Sequence, residues 1–143
     1  MSNASTSSVH NHNFKYAIVL SIVIVLFLFN SNNILTKANP DFIIVHVTVP
    51  SKEVATKIAQ TLLDKRLAAC VNVMPGILSF YTWNGKINED SELLLEIKTK
   101  TKLFDSLSKL VQTIHPYDVP EVIAIPMERA SKTYTAWLKE STV

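Results

Sequence analysis

Imidazole, phenol and carboxylate follow one another on a single short segment, His115-Pro116-Tyr117-Asp118-Val119-Pro120-Glu121. A neutral imidazole binds borderline metals, and a neighbouring carboxylate can add a second donor. Two prolines stiffen the segment, and stiff loops that carry several functional groups are where sites collect. The plainer readings are a helix-end histidine, favoured there by the helix dipole, and a solvated Glu121. Cys70 is the only thiol, and with His115 it makes the only conceivable nucleophile–base pair. Its setting, Leu67-Ala68-Ala69-Cys70-Val71, is apolar, which raises a thiol pKa and makes it inert. Cys70 is therefore expected as a small core residue. His46 stands in an apolar run and is expected as a satisfied core or interface histidine. A single cysteine excludes an intrachain disulfide and a four-cysteine zinc or iron–sulfur site.

Charge narrows the partners. All 12 acidic residues lie at or after Asp41, as do all the basic ones except Lys15 and Lys37. The formal charge of +2 thus belongs to residues 1–40, and 41–143 is neutral overall. No basic run or stripe along the sequence is available to neutralise phosphates, so nucleic acid is not an expected partner.

Residues 1–40 differ in kind from the rest. A polar start rich in Ser, Asn and His gives way to Tyr16–Phe29 (YAIVLSIVIVLFLF), and a polar linker follows to Pro40. Fourteen such residues as a helix span about 21 Å, short of the roughly 30 Å hydrocarbon core. The run is expected to be a signal peptide, with Lys15 as its positive flank and cleavage after Ala38, or an uncleaved signal-anchor. Large apolar side chains surround its whole circumference, which argues against an ordinary core helix. The expected location is the secretory pathway, membrane-anchored or secreted, with a membrane or membrane-protein partner reached through the leader.

Residues 41–143 have the length of one domain. Phe42–Val49 is apolar on both alternating faces and predicts a central strand. Ser51 caps a helix predicted over Lys52–Leu67, whose stripe is Val54, Ala55, Ile58, Ala59, Leu62 and Leu63. Ala69–Val73 predicts a strand that bends at Pro75-Gly76 and resumes over Ile77–Trp83. Asn84-Gly85 is a hairpin turn signal, and the returning strand is predicted over Lys86–Lys100. A helix over Lys102–Ile114 ends at His115-Pro116. A short buried strand, Val122–Pro126, and a last helix, Ser131–Glu140, complete the chain. The order predicts an α+β class: a ferredoxin-like βαββαβ sandwich plus a C-terminal helix. In Ile77–Trp83 one face carries Leu78 and Phe80 and the other Ile77, Tyr81 and Trp83. A sheet with helices on one side should leave its other side polar, so another subunit is expected to cover it.

The fold hosts many functions, and the loop after the first strand tests several. Val49-Pro50-Ser51-Lys52 lacks the paired cysteines of a copper chaperone and the glycine-rich anion cradle of an acylphosphatase. Glu92–Lys98 lacks the exposed aromatics of an RNA-recognition module.

Several motifs in order resemble one family, the CutA divalent-cation tolerance proteins. They are Leu67-Ala68-Ala69-Cys70-Val71-Asn72, Pro75-Gly76, Tyr81-x-Trp83-x-Gly85, Ile97-Lys98-Thr99, His115-Pro116-Tyr117-x-x-Pro120-Glu121 and Tyr134-x-x-Trp137. The resemblance covers about Phe42 to Leu138. It implies a homotrimer akin to the nitrogen regulatory PII-like proteins, associated with divalent metal tolerance, chiefly copper, and with no enzymatic activity or required cofactor. In metal-binding members a histidine at the position of His115 is a ligand, joined by a second histidine before it and a first-strand cysteine. Here those two positions hold Ile114 and Val47, so weak binding of copper or another divalent cation, through His115, is implied. Cys70, Trp83, Lys98, Tyr117, Glu121, Tyr134 and Trp137 are the accompanying cleft and ligand candidates. The apolar leader gives the architecture of an animal-type member. Two alternative functions follow from the resemblance: a membrane-anchoring or scaffold protein of the acetylcholinesterase-anchoring type, or a PII-like small-molecule sensor with clefts between subunits.

Overall fold

The computed structural model describes residues 40–143. The leader expected at Tyr16–Phe29, with its cleavage point at Ala38, lies outside the described residues.

Strand β1 (Phe42–Val49) alternates strictly, with Ile43, Val45, Val47 and Val49 buried and the residues between them half-buried. Helix α1 (Lys52–Asp64) starts at Ser51, whose hydroxyl accepts from the Val54 amide at 3.3 Å. It stops three residues before the predicted end. Arg66 takes a left-handed conformation (φ 54°), and the Arg66 and Leu67 amides donate back to Leu63 and Leu62. This is the helix-ending turn that glycine usually supplies.

Strands β2 (Cys70–Trp83) and β3 (Lys86–Lys100) form a long hairpin closed by Asn84-Gly85, both at positive φ (52° and 75°). That pair of dihedrals is the type I′ turn whose twist matches a hairpin. The pairing slips by one residue at Gly76, between Pro75 and Ile77, so the Pro-Gly pair is a bulge within one strand. A single 3₁₀ turn (Thr101–Leu103) leads into helix α2 (Phe104–Ile114). Strand β4 (Ile123–Pro126) and helix α3 (Lys132–Ser141), capped by Ser131, finish the chain.

The sheet order is β2-β3-β1-β4, with each neighbouring pair antiparallel. This is the α+β ferredoxin-like topology with an added C-terminal helix. Ile43, Val45, Val47, Leu95 and Ile97 pack against Ala55, Ile58 and Leu62 of α1 and Leu107 and Val111 of α2. β4 is not the buried strand that its composition predicts. All four of its residues are exposed, because it is an edge strand paired only to Ile43–His46. Cys70 corrects its expectation too. It is half-buried on the face away from the helices, opposite Lys98.

Candidate functional site

Two regions collect the chemistry-bearing side chains. The first is the face of the sheet that no helix covers. Cross-strand pairing sets Asn72, Glu96, His46 and Ile123 in one row there, and Cys70, Lys98, Ile44 and Ile125 in the next. The Lys98 ammonium meets a Glu96 carboxylate oxygen at 2.5 Å and also donates to the Glu96 carbonyl at 3.3 Å. His46 approaches the other carboxylate oxygen at 4.0 Å, and the Cys70 thiol donates to Asn72 Oδ1 at 3.4 Å. The bond from Lys98 is the main reason that the Glu96 carboxyl lies below its ordinary pKa. Lys98 is only 7% exposed even without a partner over it.

The second region lies where α2 ends. His115 is the C-cap of α2 and is buried at 8% exposure. The Tyr117 amide donates to Nδ1 at 3.1 Å, so that nitrogen carries no proton. Nε2 therefore holds the hydrogen and donates it to the Thr48 carbonyl at 2.9 Å. Both ring nitrogens are thus bonded to backbone, and the ring ties the loop to the end of β1. Tyr117 packs edge-on to the imidazole with ring centres 4.9 Å apart.

Tyr117 faces the far part of the β2–β3 hairpin. The β1 pairing of β3 ends at Leu93, so Ile77–Trp83 and Lys86–Glu92 run on as a two-stranded arm of about 23 Å. Tyr81, Trp83 and residues 116–119 line a cavity of about 250 Å³ between arm and loop. Burial first, then the negative charges of Glu92 and Asp90, push the Tyr117 phenol up to about 12. The Tyr81 hydroxyl donates to Asp90 at 2.5 Å, which raises its pKa as well. Glu92, 6% exposed, has one oxygen, Oε1, without a hydrogen-bond partner.

Of the residues singled out from sequence, Trp83 and Tyr117 line this cavity, and the His115 ring packs against Tyr117 behind it. Cys70 and Lys98 belong to the open sheet face. Tyr134 and Trp137 pack on each other along α3, with ring centres 5.3 Å apart, and Glu121 is exposed. Sequence reasoning missed Tyr81, Asp90 and Glu92. The alternation of Ser79, Tyr81 and Trp83 with the register from the Asn84-Gly85 turn would have placed them on one face. Among the described residues, no three His, Cys, Asp or Glu side chains gather as a metal site.

Residues 43–141 match the family described as CutA1 divalent ion tolerance protein. The chain belongs to that family. It is 50% identical over 99 residues to the divalent-cation tolerance protein CutA of Thermus thermophilus, covering 69% of this chain and 96% of that one. It is 51% identical over 100 residues to the chloroplastic CutA of Arabidopsis thaliana, covering 70% and 55%. The crystal structure of CutA1 from Oryza sativa superposes with a TM-score of 0.70 at 48% identity, over 73% of this chain and 96% of that one. The chain therefore spans nearly all of the bacterial relative and about half the length of the plant one. The family's description names ion tolerance and no reaction.

These matches correct the leader-based expectations. The match begins at residue 43, and the Mus musculus protein CutA, at 49% identity, is no nearer than the bacterial and plant ones. An animal-type member defined by an apolar leader is therefore not supported. Among the described residues no helix is long and apolar enough to cross a membrane. The signal peptide, the transmembrane anchor, the secretory location and the membrane-protein partner, including the acetylcholinesterase-anchoring alternative, find no support in these matches or in the described residues.

Proposed function

We propose that residues 41–143 form the working domain and assemble as a homotrimer through the open sheet face and the β2–β3 arm. In that assembly the chain serves a response to divalent cations, copper among them. The arm carries the argument. Leu78, Phe80 and Ile87 share one side of it and are 54, 63 and 80% exposed. Apolar side chains standing clear of any core on a projecting hairpin are the mark of a surface that a partner covers. The number three comes from the family resemblance.

Metal contact in this reading is weak and involves His115. A cation that reaches either ring nitrogen must displace the Thr48 carbonyl or the Tyr117 amide, and the ring then stands without further nitrogen or sulfur donors. Calorimetric titration with Cu²⁺ tests this. Weak binding that His115→Ala removes is expected; submicromolar binding that survives the substitution contradicts the choice of ligand. The cavity between Tyr81, Trp83 and Tyr117 favours a second reading, a PII-like sensor that takes a small molecule there.

A further inference from the structure

The charge of residues 41–143 is neutral in sum but not in space. At the opposite end of β1 from His115, a groove of about 760 Å³ opens between the start of β1, the 3₁₀ turn and α3. Lys100, Lys102, Lys132 and Lys139 line it against one carboxylate, Asp41. They are spread over forty residues of sequence, so no basic run announces them. Among the described residues the ion pairs within reach are those of Glu96 with Lys98 and His46, and none involves these four lysines. Residues 1–39 contain no Asp or Glu, so wherever they lie they bring no counter-charge.

Lys100 already directs its ammonium at the Thr142 carbonyl, at 3.0 Å, and at an oxygen of the terminal residue Val143, at 3.2 Å, whereas Lys102, Lys132 and Lys139 have no ion-pair partner among the described side chains. Partial burial, then the like charges of Lys102, Lys139 and Arg66, hold its pKa below the ordinary lysine value. Such crowding of like charge destabilises a fold unless an anion shares it. α3 adds to the same field. Its first turn holds Lys132 and no acidic residue, although a helix N-terminus favours negative charge.

We propose that this groove binds a small soluble polyanion with adjacent phosphates, of the inorganic polyphosphate class. The four ammonium groups line a concave groove. A long nucleic acid needs a basic track that extends along the surface, whereas these four lysines gather in one groove. This site is independent of the His115 loop and borders the open sheet face, where Phe42 and Lys100 pair.

Calorimetric titration of the full chain with sodium tripolyphosphate tests the proposal, at about 50 mM and about 200 mM salt. Saturable binding is expected, weakening by about tenfold or more between the two salts. The double substitution Lys102→Glu/Lys139→Glu should abolish it. Both side chains are exposed, so the thermal unfolding midpoint should stay in place, and Lys109→Glu on the exposed side of α2 should leave binding unchanged. Absence of binding at the lower salt would overturn the proposal, as would binding that the double variant retains. Tighter binding of a single-stranded RNA oligonucleotide or of anionic vesicles than of tripolyphosphate would also overturn it, by assigning the groove to another class of partner.

Discussion

β1 presents two faces of different construction. Ile43, Val45, Val47 and Val49 are sealed beneath the helices, whereas Ile44, His46 and Thr48, one residue away each, look out from the sheet. The sealed face is wholly apolar, so its stability comes from burial and close packing within one chain. The open face mixes Ile44, Ile123, Ile125 and Met74 with a hydrogen-bonded Lys98–Glu96 pair. A face left to water needs no such apolar frame, and a face meant for a chain's own core would not carry a lysine and a glutamate at its centre. Paired charges inside an apolar surround suit an interface, where they fix register more than they add stability.

Phe80→Asp/Ile87→Asp should have the largest effect, because it places charge on the arm's apolar side. The trimer is expected to be lost altogether while each chain stays folded, as size-exclusion with light scattering and circular dichroism would record. Trp83→Ala, on the other side of the arm, should weaken assembly by about 3 kcal/mol. On the sealed face, Ile97→Ala should lower stability by about 2–5 kcal/mol in urea unfolding, whatever the state of assembly. If Ile97→Ala dissociated the trimer while Phe80→Asp/Ile87→Asp unfolded the chain, the division between the two faces would be wrong.

His115→Ala comes next in size. It leaves the Thr48 carbonyl and the Tyr117 amide without their ring partner and should cost about 1–3 kcal/mol of stability. Two titrations give smaller effects. Glu96 has a folded pKa below its unfolded value, so its contribution is complete above the ordinary carboxylate range and is lost as the pH falls through the depressed value. Lys98→Met should flatten that acid limb in pH-dependent unfolding. Tyr117 behaves in the opposite sense. Its pKa is raised to about 12, so its contribution is complete below the ordinary tyrosine range and fades as the pH climbs toward 12. Ultraviolet titration of Glu92→Gln should move that late phenol downward, because one of the charges that raises it is gone.

The sequence disclosed the elements better than their surroundings. The stripe of α1 apart from Leu63, which is exposed, the Asn84-Gly85 turn and the bend at Pro75-Gly76 are local signals, and the structure contains each of them. Boundaries moved where a local rule was broken, as at Arg66, a non-glycine residue in the left-handed turn that ends α1. Solvent exposure was harder to foresee. Val122–Pro126 looks like buried strand by composition, yet its place at the sheet edge leaves it open, and edge position is a tertiary fact. Cys70 reads as core among alanines, but the pleat turns it to the other face. The site was half legible. The His115–Glu121 motif was visible, whereas the use of both ring nitrogens by backbone groups depends on Thr48, which is distant in sequence. The four lysines of the groove were invisible for the same reason.

Sedimentation equilibrium of residues 41–143 across the micromolar range tests the central claim most directly, since both the open sheet face and the arm lie within that span. The account predicts a folded, soluble species of three times the chain mass that does not dissociate on dilution to about 1 μM, as a stable interface requires. A folded monomer at that concentration would contradict it.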